Sequence, residues 1–250
     1  IMDNNASLTG KQRTKLIRAL AAESEARGTD AAGIAYNSGG RLQICKGPGP
    51  ARKHRFFVPG DARVVMGHTR MTTQGDAKYP QNNHPFAGKV GRLHFALAHN
   101  GVLYNDKSLR NSRKLPQTHI QTDSYVAVQL LEQQGALTPD SLSEMAETVE
   151  GSFVFTVLDN EDSIWFVVGD NPLCIFRYEG FLLYASTEEI LIKTAKKLRL
   201  KAPTSIQKPE EGEILKIDWA GRVTTGSFTP QISYLHWWRY RPYYGTFRLD

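Results

Sequence analysis

The chain is short of the residues that mark several protein classes. Its 250 residues include only two cysteines, Cys45 and Cys174. They lie far apart with no pairing or ligand spacing, so neither a disulfide framework nor a zinc ribbon is expected. Each sits in an apolar strand-like run (RLQICKG and PLCIFRY) and reads as a small buried hydrophobe. No apolar stretch reaches the ~18 residues of a membrane span and no signal-peptide pattern opens the sequence, which makes the cytoplasm the expected compartment. A Gly-x-Ser-x-Gly elbow, a phosphate loop and a Gly-rich dinucleotide turn are all missing. The seven histidines suggest no metal centre. His94 and His99 share a strand but point to opposite faces at their odd separation, and no carboxylate or thiol follows His68 at ligand spacing.

Acidic residues are the minority charge, 25 against 31 lysines and arginines, for a net charge of +6. The excess gathers in KKLRLK (196–201) and in the C-terminal YLHWWRYRPYYGTFR, where basic and aromatic residues interleave as in single-strand binders. The first run ends an amphipathic helix, where cations suit the helix dipole, so a solvated basic face is the simpler account and nucleic acid is not an expected partner. A hydrophobic content of 40% with 22% charged residues describes an ordinary soluble globular protein of one large or two small domains.

Residues 1–9 (IMDNNASLT) are polar and show no strand alternation. Thr9 and Gln12 form a capping box ahead of Leu16, Ile17, Leu20 and Ala21 at helical spacing, which predicts a helix over 10–27. GIAYN and RLQICKG, joined by Ser-Gly-Gly, predict a hairpin. DARVVMGHTR and LHFALAHNG read as strands, a short helix follows in VLYNDKSLRNS, and 122–135 and 139–149 read as amphipathic helices, with Asp123 in the first turn of the former. SFVFTVLD, SIWFVVGD, PLCIFRYEG and FLLYAST read as one antiparallel meander. A helix (EEILIKTAKKLRL) and a hairpin (GEILKID, RVTTGSF) complete the pattern. This grouping predicts an α+β fold of two antiparallel sheets packed face to face with helices outside. One domain over 1–230 and an aromatic, basic tail over 231–250 are expected.

The stretch 66–101 carries the chemistry. Arg70 lies among Thr72, Thr73 and Gln74. A guanidinium can hold a carboxylate through two parallel bonds while an aspartate such as Asp123 holds an ammonium, so the pair would grip the backbone end of a free amino acid. A plain structural salt bridge between the two is equally compatible with the sequence. Asn100-Gly101 ends a strand, and an Asn amide with the following Gly N–H can converge on an oxyanion. The same dipeptide is also the commonest tight turn.

RGTDAAG, GHTRMTTQG, NNHPF, HNG and QTDS, in that order, resemble the class II glutamine amidotransferase domain, the N-terminal nucleophile type. The resemblance spans residues 10–218 and includes GDNPL and YASTEE. It implies a four-layer αββα sandwich of two antiparallel sheets and hydrolysis of L-glutamine to glutamate and ammonia; no cofactor and no metal are expected. By motif, Arg70 corresponds to the residue that binds the α-carboxylate, with Thr73 and Gln74 beside it, the latter where many relatives have histidine. Asp123 corresponds to the residue that holds the α-ammonium, Asn100 and Gly101 to the oxyanion hole, and Arg27 to the arginine supporting the nucleophile loop.

The family's nucleophile is a cysteine at the mature N-terminus whose own amine, with an unperturbed pKa of ~7.7 to 8.0, takes the thiol proton. Ile1 is no nucleophile, and neither Cys45 nor Cys174 matches the position. The expectation is that a leading segment of roughly ten to fifteen residues bears the cysteine on an apolar strand that IMDNNASLT does not itself supply. The alternative is a binding module of the same fold that has lost its nucleophile. Ammonia would pass to an acceptor or synthetase partner, and self-association stays open. The tail, with Trp237 and Trp238, is either a docking patch or a cover for a sheet edge.

Overall fold

Strand and helix signals become twelve strands and five helices in the computed structural model, which describes residues 1–231. In chain order these are α1 (Gly10–Glu23), β1 (Ala31–Ser38), β2 (Arg41–Pro48), β3 (Val65–Arg70), β4 (Phe86–Val90), β5 (Leu93–Leu103), α2 (Asp106–Ser112), α3 (Tyr125–Gln134), α4 (Pro139–Thr148), β6 (Gly151–Asp159), β7 (Ile164–Val168), β8 (Cys174–Tyr178), β9 (Phe181–Ala185), α5 (Glu188–Leu198), β10 (Ser205–Gln207), β11 (Glu213–Ile217) and β12 (Val223–Ser227). The capping box at α1 is formed, with Thr9 accepting from Gln12 N–H and the Gln12 side chain accepting from Thr9 N–H. The helix gives way to a 3-10 turn, Ser24–Arg27, short of the predicted end. Gly39 and Gly40 both take positive φ, the requirement of the two-residue hairpin between β1 and β2.

The fold is a four-layer αββα sandwich, and its three interlayer spaces are its three apolar cores. One sheet has six strands in the order β12-β11-β7-β6-β5-β4. The facing side has two three-stranded sheets, β2-β1-β3 and β10-β8-β9. Leu16, Ile17, Leu20, Ile190 and Leu191 of α1 and α5 pack on Ile34, Val65 and Leu183. Met66, Ala98, Val154, Phe166 and Leu215 fill the space between the sheets. On the far side Leu97, Phe155 and Val157 meet Val126, Leu130, Leu142 and Met145 of α3 and α4. Strands such as FVFTVL lie between two apolar layers, which is why they show no polar alternation.

Four expectations are corrected. The meander is split: β6 and β7 belong to the six-stranded sheet, whereas β8 and β9 pair in the opposite one, so the chain changes sheets between Val168 and Cys174. Residues 1–3 are strand-like after all. Ile1 exchanges backbone hydrogen bonds with Val65 and Met2 exchanges them with Leu182, so this short run ties β3 to β9. Asp3, the polar residue that masks the run, is fully buried in an ion pair with buried Arg13 (2.5 Å) and accepts from Ser7 and Leu8 N–H. Cys45 is exposed, while Cys174 is buried as expected. β2 shows one face to solvent, and Cys45 shares that face with Arg41 and Gln43. Asp123 precedes α3 rather than lying in its first turn. The tail expectations fall on 232–250, outside the described residues.

Candidate active site

All five sequence words meet around a cavity of about 300 Å³ lined by Arg27, Arg70, Thr73, His84, Asn100, Gly101 and Asp123. The β1–β3 register sets Ala31 opposite Arg70, bringing RGTD to GHTRMTT. Gly28 lies against the Arg70 backbone so closely that an added Cβ would sit 2.2 Å from Arg70 C and Met71 N, which excludes any side chain there. Asp30 completes the latch: its N–H donates to Arg70 O (3.0 Å) and its carboxylate accepts from Thr72 N–H (2.8 Å).

Arg70 is buried, and its guanidinium donates to Asn83 Oδ1 (2.7 Å), Gln74 O (2.5 Å) and Gly75 O (2.8 Å). Desolvation pulls its pKa below the ordinary arginine value, opposed by the field of Asp123. The structural salt bridge is not formed: Arg70 and Asp123 make no ion pair within 4.0 Å, although both line the cavity. Asp123 accepts Leu103 N–H at Oδ2 (2.7 Å), which anchors one oxygen to the end of β5. A buried cation and a buried anion held apart by a cavity are complementary to a zwitterion.

Thr73 lines the cavity, but the Gln74 side chain does not. Gln74 Nε2 donates to Asp106 Oδ2 (3.2 Å), and its carbonyl supports Arg70. Support for this loop reaches back to β2. Lys46 Nζ donates to Asn83 O (2.6 Å) and Pro85 O (2.9 Å), and burial lowers its pKa to about 8.

Arg27 reaches Asn100. Its Nη2 donates to Asn100 Oδ1 (3.1 Å), which commits the amide oxygen and leaves Nδ2 buried without a partner. Asn171, from GDNPL, donates to Asn100 O (2.9 Å) and fixes the backbone from the other side. At Gly101 (φ +146) a Cβ would stand 1.9 Å from Ser152 O, so only glycine permits this approach of β5 to β6. An unpaired, fixed amide donor beside a glycine is the arrangement an oxyanion hole needs.

Sequence reasoning gave three histidines no role, yet they form the inner wall. His68, His84 and His99 line the cavity, with ring centroids 4.2 Å apart for His68–His84 and 6.5 Å for His84–His99. Their presence in GHTR, NNHPF and HNG was a usable signal. Desolvation lowers all three pKa values, that of His68 to about 4. Asn83, Thr122, Ser124 and Asn171 are the other site residues not anticipated.

A family model described as "Glutamine amidotransferase domain" matches residues 42–207. The chain belongs to this family of amidotransferase enzymes. It is 32% identical over 179 residues to a glutamine–fructose-6-phosphate aminotransferase (isomerizing) of Staphylococcus epidermidis, a match covering 68% of this chain and 29% of the relative. The Staphylococcus aureus (strain Mu50) enzyme of the same name is 30% identical over 208 residues, 80% of this chain and 34% of that one. The chain thus spans about a third of these curated relatives. Among solved structures, the glutamine phosphoribosylpyrophosphate amidotransferase of B. subtilis superposes with a TM-score of 0.72 at 21% identity, over 88% of this chain and 47% of that one, a likeness of fold. Within the described residues no helix of this amidotransferase domain is long and apolar enough to cross a membrane.

Proposed function

We propose that the domain hydrolyses L-glutamine to glutamate and ammonia, with the nucleophile a cysteine on residues that precede Ile1. The carrying observation is a groove that continues the line of Ile1–Asp3 between β3 and β9. It is lined by Ile1, Val65, Gly67, Tyr184 and Ser186, with Leu20 below, and it shares Arg27, His68, Thr69 and Asn100 with the amino-acid cavity. Two strand edges facing each other across such a groove invite a strand.

The register is determined by hydrogen bonds. Ile1 N–H donates to Val65 O and Val65 N–H to Ile1 O, both at 2.8 Å, and Asp3 N–H donates to Arg63 O. Counting antiparallel from Ile1 opposite Val65, the fifth preceding residue lies opposite 65 + 5, which is Arg70. Opposed residues share a face. Ile1 and Val65 face α1, whereas Met2, Val64 and Met66 face the intersheet core. The first, third and fifth preceding residues therefore share the face of Met66, His68 and Arg70, and the fifth is the one at the end of β3. We assign the cysteine there, which shortens the expected ten to fifteen leading residues to about five.

In this reading Arg70 holds the substrate α-carboxylate and Asp123 its α-ammonium. Thr73 lines the wall, and Gln74 acts through Arg70. The thiolate attacks the carboxamide carbon, Asn100 Nδ2 and the Gly101 N–H receive the oxyanion, and Arg27 holds the Asn100 amide in the donating orientation. The amine of the cysteine takes the thiol proton and returns it to the leaving nitrogen; water then releases glutamate from the thioester. Ammonia passes to an acceptor or a partner synthetase. The protein expressed from its natural start should release glutamate from glutamine, and replacing the proposed cysteine by alanine should abolish release. An intact cysteine with no glutamate formed would overturn the proposal in favour of a binding module.

A further inference from the structure

His68 is held in one tautomer. Its Nε2 lies 2.9 Å from the His99 carbonyl oxygen, which can only accept, so Nε2 carries the hydrogen and Nδ1 is a bare lone pair. Nδ1 is buried and has no partner. Beside it, at 4.2 Å between centroids, His84 is 5% exposed and leaves both ring nitrogens unpartnered. Unpaired buried polar atoms are costly and uncommon in a native fold. His68 also lines both the strand groove and the amino-acid cavity, next to Asn100.

Resting on the glutamine-hydrolysis reading, we propose that His68 Nδ1, backed by His84, is the leaving-group subsite: it accepts hydrogen bonds from the carboxamide nitrogen of the substrate and from the ammonia released there. The acceptor must be a neutral imidazole, since an imidazolium would present N–H to N–H, and burial supplies that state by holding His68 near 4. The subsite would select an N–H-bearing leaving group over an alkoxide of similar size, because the ester has no hydrogen to give Nδ1. It contributes specificity and positioning for the leaving nitrogen without forming a bond to it.

The test compares L-glutamine with glutamate γ-methyl ester in the full-length protein. In His68→Phe the ring keeps its shape beside His84 while the acceptor at Nδ1 is gone. The expected result is a fall in kcat/KM for glutamine by a factor on the order of 10 to 100, with ester hydrolysis changed less than about threefold. Retained ester turnover also reports an intact site. His84→Phe, a ring of similar shape, should shift the same ratio in the same direction. Parallel loss on both substrates, or no loss on either, overturns the subsite while leaving glutamine hydrolysis standing. A wild-type protein that turns over neither substrate removes the hydrolysis reading and the subsite with it.

Discussion

Asn100→Asp isolates the proposed oxyanion donor. The substitution keeps size and shape, and the carboxylate keeps its acceptor toward Arg27 Nη2, now 3.1 Å away across an ion pair in place of a neutral bond. Only Nδ2, the buried donor without a partner, is exchanged for an acceptor. Loss of one oxyanion donor costs about 3 kcal/mol, a factor of 10² to 10³ in kcat. The new negative charge adds repulsion with the developing oxyanion, up to about 4 kcal/mol at 4 Å and an effective dielectric near 20. Arg27 offsets part of this, so the total lies at roughly 3 to 5 kcal/mol, or 10² to 10⁴. In the proposed function the substrate ends are held by Arg70 and Asp123, so KM should change less than about threefold. Steady-state glutamate release measures both constants. A fall in kcat below tenfold, or a change confined to KM, would refute the assignment of Asn100 to the oxyanion.

Other perturbations read different parts of the structure. Arg70→Lys should raise KM for glutamine by about 10- to 100-fold, because an ammonium, with three donors, cannot hold Asn83, Gln74 and Gly75 and still offer an N–H to a carboxylate, whereas a guanidinium has five; an unchanged KM in steady-state kinetics counts against the carboxylate role. Asp3→Ala leaves Arg13, itself 2% exposed, without its counter-ion and should destabilise the domain by about 3 to 5 kcal/mol in denaturant unfolding, whereas a loss under 1 kcal/mol would mean that water replaces the carboxylate. Stability should decline in acid. His68 titrates near 6.5 when unfolded and near 4 when folded, so the unfolded state binds the extra proton below 6.5. Its contribution is complete above that pH and is lost as pH falls from 6.5 to 4, by roughly 2 kcal/mol at pH 5. Urea midpoints that stay flat over this window in wild type, or a slope unchanged in His68→Gln, would contradict the shift.

Legibility in the sequence followed the range of the interactions. Helices and hairpins were readable because period and capping are local: Thr9 with Gln12 and the Gly39-Gly40 turn sit where expected. The N-terminal strand was not, since the burial of Asp3 depends on Arg13, and the partners Val65 and Leu182 are far along the chain. The meander was read as one sheet because strand propensity does not report which sheet a strand joins. β4 was missed because Ala87, Gly88 and Lys89 carry little strand propensity, and FAGKV pairs only because β5 lies alongside. Cys45 could have been read correctly, since it alternates in phase with Arg41 and Gln43, and the same alternation turns Lys46 inward beneath the Asn83 loop. The motifs named Arg70, Asp123, Asn100 and Gly101, but the division of labour between Gln74 and Thr73 is a matter of side-chain direction. The histidine wall comes from three distant segments that only the closed sandwich brings together.

The central claim is that the groove beside Ile1 carries a strand ending in the nucleophile. It is tested by a single labelling experiment on the protein expressed from its natural start: reaction with a glutamine-mimicking electrophile, followed by peptide mass mapping. One covalent adduct is expected, on a cysteine about five residues before Ile1, blocked by excess glutamine. An adduct on Cys45 or Cys174, or none at all, would contradict it.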